Sequence, residues 1–413
     1  MEEIIRYIIR YLLGDDSNDT ASLVGYTADE REFSRYQLVI IPSGFFENDY
    51  GTETSLPQLP LQEFEGVPLL YGKPLIEGNI LHADLIASAY FLMSRYEETV
   101  RRNCRDEHGR FPGKESLPYR ANFIDRPILQ EYGRLLRRYL NIPEEKPGLQ
   151  QITLTHDVDA PFAYRTSRNM ARGLKEGKNI SELIRYKRGP VENDPYYTFP
   201  WILEQYRKLK DVTCIFFFKA GGEAEQDKPH YNLKGKDIGT IVRLIKDNRA
   251  TIGLHASYEA GLNPVLITSE KARLEEAFGK KVAANRNHFL ASREPEDMQM
   301  LIRASITDDY TMGYADVAGF RLGTARPVRW IDPVRKELTT LVLHPLLIMD
   351  ATLSEKKYMG LNEINAFEYS SKLIRESADA GGELVLLWHN TSFADSEGYH
   401  RRLYDKIIKR LSA

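Results

Sequence analysis

After residue 150 the chain alternates between short, almost wholly apolar runs and longer stretches whose apolar residues return every three or four positions. A continuous apolar run predicts a strand buried on both faces, and the three-to-four period predicts an amphipathic helix. The predicted strands cover residues 152–156, 212–218, 251–255, 282–286, 305–308, 340–343 and 383–388. Helices are predicted between them at about 198–210, 236–248, 267–278, 294–304 and 365–379. Strand and helix in strict alternation predict a parallel sheet covered by helices. Two architectures fit, an open doubly wound sheet and a barrel related to the (β/α)8 type.

The first part of the chain reads differently. Residues 2–13 have helical spacing, 37–41 form an apolar strand, and 45–80 are rich in Pro, Gly and acidic residues, with a strand candidate at 67–71. A helix is predicted from about 83 to 100, with Asp84 in its first turn, and another over 126–140. Residues 143–148 carry two prolines, two glutamates and a glycine and read as a linker. This gives a smaller α/β domain over 1–148 and the strand–helix domain over 151–413.

Composition narrows the partners. With 413 residues, two or three domains are expected. A net charge of -3 argues against a nucleic-acid binder, whose affinity comes from neutralising phosphates. The two cysteines, Cys104 and Cys214, suggest no disulfide framework and favour a cytoplasmic location. The N-terminus lacks the pattern of a secretion signal, and no run reaches the roughly 18 apolar residues of a membrane span. Tyrosine is common, at 24 residues, which suits sugar faces and protein cores equally.

The candidate chemistry gathers at predicted strand ends. Asp157 and Asp159 flank Val158 just beyond a strand, where two carboxylates can share a site, one holding a metal and one taking a proton. Of nine histidines, His156, His255, His288, His344 and His389 sit at or just past strand ends. One such histidine is ordinarily structural; five at matched positions point to a shared site. In a barrel those ends converge on one mouth, where active sites of this architecture lie, so the motifs favour the barrel over the open sheet.

The order of these motifs over 151–413 resembles the polysaccharide deacetylase family of carbohydrate esterases. That resemblance implies a deformed (β/α)7 TIM-like barrel and a hydrolase, in carbohydrate metabolism, that removes acetyl groups from a sugar or glycan precursor. It implies a divalent metal, usually zinc, and water activated by that metal. Asp157-Val158-Asp159 matches an Asp-x-Asp motif in which Asp157 is the base and Asp159 a metal ligand. Arg286-Asn287-His288-Phe289 resembles Arg-x-x-aromatic: Arg286 pairs with the catalytic Asp and the Phe289 N–H helps hold the oxyanion. Leu387-Trp388-His389-Asn390 makes His389 the general acid. Asp309 is a candidate to orient His389, Arg321 to bind a substrate carboxylate, and Trp388 to wall an acetyl pocket or pack in the barrel. The segment around Asp84 resembles an accessory domain that precedes such barrels in some bacterial proteins.

The chain departs from the family at one ligand. The family's His-x-x-x-His reads His255-x-x-x-Glu259 here. Three outcomes stay open: Glu259 completes a site with Asp159 and His255, His288 reaches in from the next strand end, or the metal site has decayed. Two other functions also stay open. One is a non-catalytic glycan-binding barrel with a degenerate metal site; the other is a hydrolase of different C–N amide bonds. Each residue also has an ordinary alternative, a capped strand end for the Asp pair and a surface side chain for Arg286. The sugar, the choice of N- or O-acetyl and the oligomeric state are open at this level.

Overall fold

The structure, a computed structural model, describes residues 1–14, 18–47, 49–144 and 146–412. The first part holds a four-stranded sheet built from β1 (Val24–Tyr26), β2 (Leu38–Ile40), β5 (Gly72–Glu77) and β6 (Ile80–Ala83), in the order β1-β2-β6-β5. Between them β3 (Gln62–Phe64) and β4 (Val67–Leu69) form a separate hairpin. The helix Glu2–Leu13 buries Ile4, Ile8, Ile9, Leu12 and Leu13, as helical spacing allows. The expected helix over 83–100 is two helices, Leu85–Met93 and Tyr96–Val100. Asp84 is the cap of the first, accepting from the Ala87 N–H at 2.9 Å. The break falls at Arg95, which takes a left-handed φ of 60°.

The second part is a nine-stranded sheet: β7 (Gln151–Val158), β8 (Val212–Lys219), β9 (Thr251–Ala256), β10 (Ala284–Asn287), β11 (Asp308–Asp309), β12 (Val328–Asp332), β13 (Glu337–Leu343), β14 (Leu346–Met349) and β15 (Glu383–Leu387). The order is β12-β13-β11-β10-β9-β8-β7-β15-β14, and every pairing is parallel except β12 on β13. All seven predicted strands are present. Two others, β12 and β14, were not expected, and β11 shortens to two residues. Phe216, Phe217 and Phe218 of β8 are all buried, as a central strand covered on both faces requires. Each contributes roughly 1.5–3 kcal/mol by leaving water.

The sheet closes into a barrel through one broken strand. Strand β14 ends the pairing order and β13 lies second from its other end, beside the antiparallel β12, yet the two are joined by only His344 and Pro345. Three residue steps span at most roughly 11 Å. The β14 edge therefore meets the parallel ribbon at β13. One extended chain pairs first with β11, at Val342 and Leu343, and then with β15, from Leu346 to Met349. Counting it once and setting aside β12, which pairs antiparallel on β13, seven strand positions surround the axis, and the architecture is a deformed (β/α)7 TIM-like barrel. The smaller α/β part packs against it, and one hydrophobic core runs through both. Among the described residues, no helix is long and apolar enough to cross a membrane.

Candidate metal centre and active site

At the C-terminal mouth of the barrel three side chains converge. One ligand atom each from Asp159, His255 and His288 lies within 4.8 Å of the others. Asp159 follows β7, His255 is in β9 and His288 directly follows β10. His255 Nε2 is 3.1 Å from Asp159 Oδ1, and His288 Nε2 is 3.5 Å from it. Yet Asp159 Oδ1 and His255 Nε2 are both buried without a hydrogen-bond partner. Two such atoms turned toward a common point, not bonded to each other, are what a cation needs and what a dry core avoids.

The second nitrogen of each histidine is committed elsewhere. His255 Nδ1–H donates to the Arg286 carbonyl at 2.9 Å, and His288 Nδ1–H donates to Asp227 Oδ1 at 3.0 Å. Both contacts turn Nε2 toward the centre as a lone-pair donor, the arrangement that orients metal-binding imidazoles. Burial works against charge on Asp159, but His288 and His255 hold its carboxyl well below the usual carboxylate range. One carboxylate and two imidazoles fit a divalent transition metal with a position left open.

Glu259 is not in this group. It lies in the helix Tyr258–Leu262, and its carboxylate accepts from the Glu223 N–H at 2.8 Å. The amides that begin that helix are held by Asp227, which accepts from the Tyr258 N–H at 2.7 Å and the Glu259 N–H at 3.2 Å. Ser257 caps the same helix and donates to Glu270.

Asp157 stands beside the cluster. Its Oδ1 accepts from Arg286 Nη1 at 3.0 Å, and its Oδ2 is 3.6 Å from His255 Nε2. Arg286 is fully buried, 4.7 Å above the Phe217 ring, and also reaches Thr155 Oγ1 and the Tyr310 carbonyl. Such a charge is tolerated inside a protein only when paired.

On the other side of Asp159, His389 Nε2 lies 3.6 Å from Oδ2. Its Nδ1–H donates to Asp350 Oδ1 at 2.9 Å, and its backbone N–H donates to Asp350 Oδ2. Burial disfavours the imidazolium, but the Asp350 carboxylate outweighs it and raises His389 to about 10. Asp350 follows β14 directly.

The expected partner of His389, Asp309, is not its partner. Asp309 accepts from Asn285, from the Thr311 hydroxyl and from the Thr311 N–H, and burial raises its pKa. It ties β11, to which it belongs, to β10 through Asn285. The five strand-end histidines also divide. His156 points to the opposite face of β7 from Asp157, as alternation requires, and donates to the Trp388 carbonyl. Burial lowers its pKa to about 4. His344 lies between Asp308 and Glu383 at the start of their strands, away from the mouth. Trp388 packs on Tyr404 outside the barrel, and Arg321 is tied to Glu98.

Phe289 takes φ 60° and ψ 12°, and Leu290 has φ 52°. A bulky residue in the left-handed region costs on the order of 1–3 kcal/mol and concentrates at functional sites. The turn lines a cavity of about 380 Å3 together with Asp157, Asp159, His288, Asp350 and His389. A larger cavity of about 760 Å3 near His344 contains none of these groups.

Sequence reasoning missed Asp350 and Asp227. A carboxylate directly after the apolar run Leu346–Met349 was the available signal for the first. Asp227 lies in an acidic loop with no periodicity and had none.

A family described as a family of unknown function (DUF7033) matches residues 5–143. No curated protein matches the chain. Among solved structures, a "putative polysaccharide deacetylase" from Mycobacterium smegmatis is similar at 16% identity and a TM-score of 0.43, over 66% of this chain and 87% of that one. A CE4 family pseudoenzyme from Bacillus anthracis is similar at 13% identity and a TM-score of 0.33, over 65% of this chain and 63% of that one. A mutant of that pseudoenzyme with restored enzymatic activity gives 13% identity and a TM-score of 0.32, over 66% and 68%.

Proposed function

We propose that this protein is a metal-dependent hydrolase that removes acetyl groups from a sugar or glycan precursor. The observation that carries the reading is the convergence of Asp159, His255 and His288 between an Arg-paired carboxylate, Asp157, and a carboxylate-paired imidazole, His389. A divalent ion held there, zinc by the donor set, supplies Lewis acidity toward a carbonyl and a more acidic water.

The chain's own groups divide the proton work. Arg286 occupies Oδ1 of Asp157, which leaves Oδ2 to accept the proton of the attacking water. His389 is held in its acid form by Asp350, and Nε2–H faces the site to protonate the departing sugar nitrogen or oxygen. The Phe289 N–H, carried on the strained turn, is the oxyanion donor. The buried, partnerless Asp159 Oδ1 and His255 Nε2 argue against a decayed site serving only to bind glycan.

The test joins metal analysis with an acetate-release screen on N- and O-acetylated sugars and on simple amides. About one zinc per chain and acetate from a sugar substrate are expected. Absence of both under every divalent ion would sink the proposal. Release from simple amides alone would move it to another C–N hydrolase.

A further inference from the structure

We infer that the N-terminal region is a working part of this site: its segment 95–110 holds the strained turn His288–Leu290, and Arg110 is the positioning residue for Phe289. The inference rests on the function proposed above and gives a role to a region whose family has none assigned.

Arg110 is 7% exposed and lines the cavity that contains Asp157, Asp159 and His389. Its Nη1 donates to the Phe289 carbonyl at 2.9 Å and its Nη2 to the Tyr358 hydroxyl at 3.3 Å. Asp106 prepares it, accepting from Arg110 Nε at 2.8 Å and from the backbone N–H groups of His108 and Arg110. The His108 ring then rests 4.9 Å from the Phe289 ring.

The grip continues along the loop. Arg95 donates to the hydroxyl and the carbonyl of Ser292, at 3.0 and 3.2 Å. Arg102 and Arg105 both reach Glu294. Arg95 is itself held by buried Glu98, which also takes Arg321 from the loop after β11. Cations from one short N-terminal stretch thus fasten residues 289–294.

The physical need is plain. Two consecutive residues with positive φ hold their shape only if the surroundings over-determine it. Fixing the Phe289 carbonyl fixes its ψ, and with it the direction of the turn from which its N–H projects. A donor aimed at an oxyanion must be set before the reaction, because reorganising it costs rate. His288 is secured separately by Asp227, so loosening Arg110 should disturb the donor and leave the metal ligands in place.

The test uses Arg110→Ala and Arg110→Lys in the full chain. Three quantities are read: kcat and KM for acetate release, zinc affinity by chelator competition, and hydrogen exchange of peptides spanning 286–294. Arg110→Ala is expected to lower kcat by about tenfold or more while KM and zinc affinity stay within about threefold. Exchange of the 289–294 amides should rise by about tenfold. Arg110→Lys keeps one donor for the carbonyl and should recover part of the kcat loss. A general loss of structure would lower zinc affinity as well and give no such split. Wild-type kcat with unchanged exchange in Arg110→Ala overturns the inference. If the wild-type chain releases no acetate, the proposed function falls, and the exchange measurement alone decides whether Arg110 holds the turn. Should Arg110→Ala fail to fold by circular dichroism, Arg110→Lys and His108→Ala carry the same readouts.

Discussion

His288 is held between two carboxylates: its Nδ1–H donates to Asp227 at 3.0 Å, and its Nε2 stands 3.5 Å from Asp159. Asp227 is fully buried, and its remaining capacity is spent on the amides of Tyr258 and Glu259. One side chain therefore orients a ligand on the loop after β10 and pins the helix after β9. Replacing Asp227 with Asn should weaken zinc binding by roughly 10–100-fold, the usual cost of losing such an outer partner. Gly222→Ala should do the same without touching a ligand, since a Cβ there would lie 2.1 Å from Asp227 Oδ2. Chelator competition reads both; wild-type affinity in Asp227→Asn would contradict the assigned role.

The identity of the third ligand separates two substitutions, one at His288 and one at Glu259. His288→Ala should abolish stoichiometric zinc, because two ligands remain. Glu259→Gln should keep zinc affinity within about threefold, since its carboxylate accepts a backbone amide instead. Metal content after dialysis decides. Zinc lost from Glu259→Gln and retained in His288→Ala would reverse the assignment.

Asp350 should matter to turnover more than to binding. Asp350→Asn leaves a side chain of the same shape but removes the charge that favours the His389 imidazolium. A fall in kcat of about hundredfold or more is expected, with zinc content unchanged. Asp309→Asn should leave the His389 contacts in place and act through packing, seen as a lower Tm. Equal kcat losses with intact folding would restore Asp309 as a partner.

The opposite end of the barrel carries a pH dependence of stability. Burial opposes charge on His344, but Asp308 and Glu383 raise it to about 9. A folded-state pKa above the unfolded value of about 6.5 stabilises the fold fully below pH ~6.5. That contribution is lost as pH rises through about 9. After allowance for screening it is on the order of 1–3 kcal/mol. The Tm gap between wild type and His344→Gln should be widest near pH ~6 and shrink by pH ~10. A gap independent of pH would refute the charged pair.

Much of this was legible in the sequence because long apolar runs announce buried strands. The residues that end them, Asp157, Asp159, His255 and Arg286, lie close together in the structure. The sequence could not rank Glu259 against His288, since that depends on which way a short helix is fastened. It hid Asp350 because Pro345 interrupts an apolar stretch, and the predicted strand stopped at 343, before β14. It overcounted histidines: strand-end position alone does not say which face of β7 His156 takes, nor that His344 lies at the other end of the barrel. Asp227 became visible only once the chain was folded around it.

The broken strand at His344-Pro345 has a further meaning for the site. The same joint that lets one chain serve β11 and then β15 also sets the height and facing of Asp350, four residues past the start of its second pairing. Barrel closure and the orientation of His389 are thus a single mechanical unit. A residue gained or lost between Leu343 and Leu346 would leave the pairing with β11 in register while turning Asp350 away from His389. At this seam geometry and chemistry would have to change together.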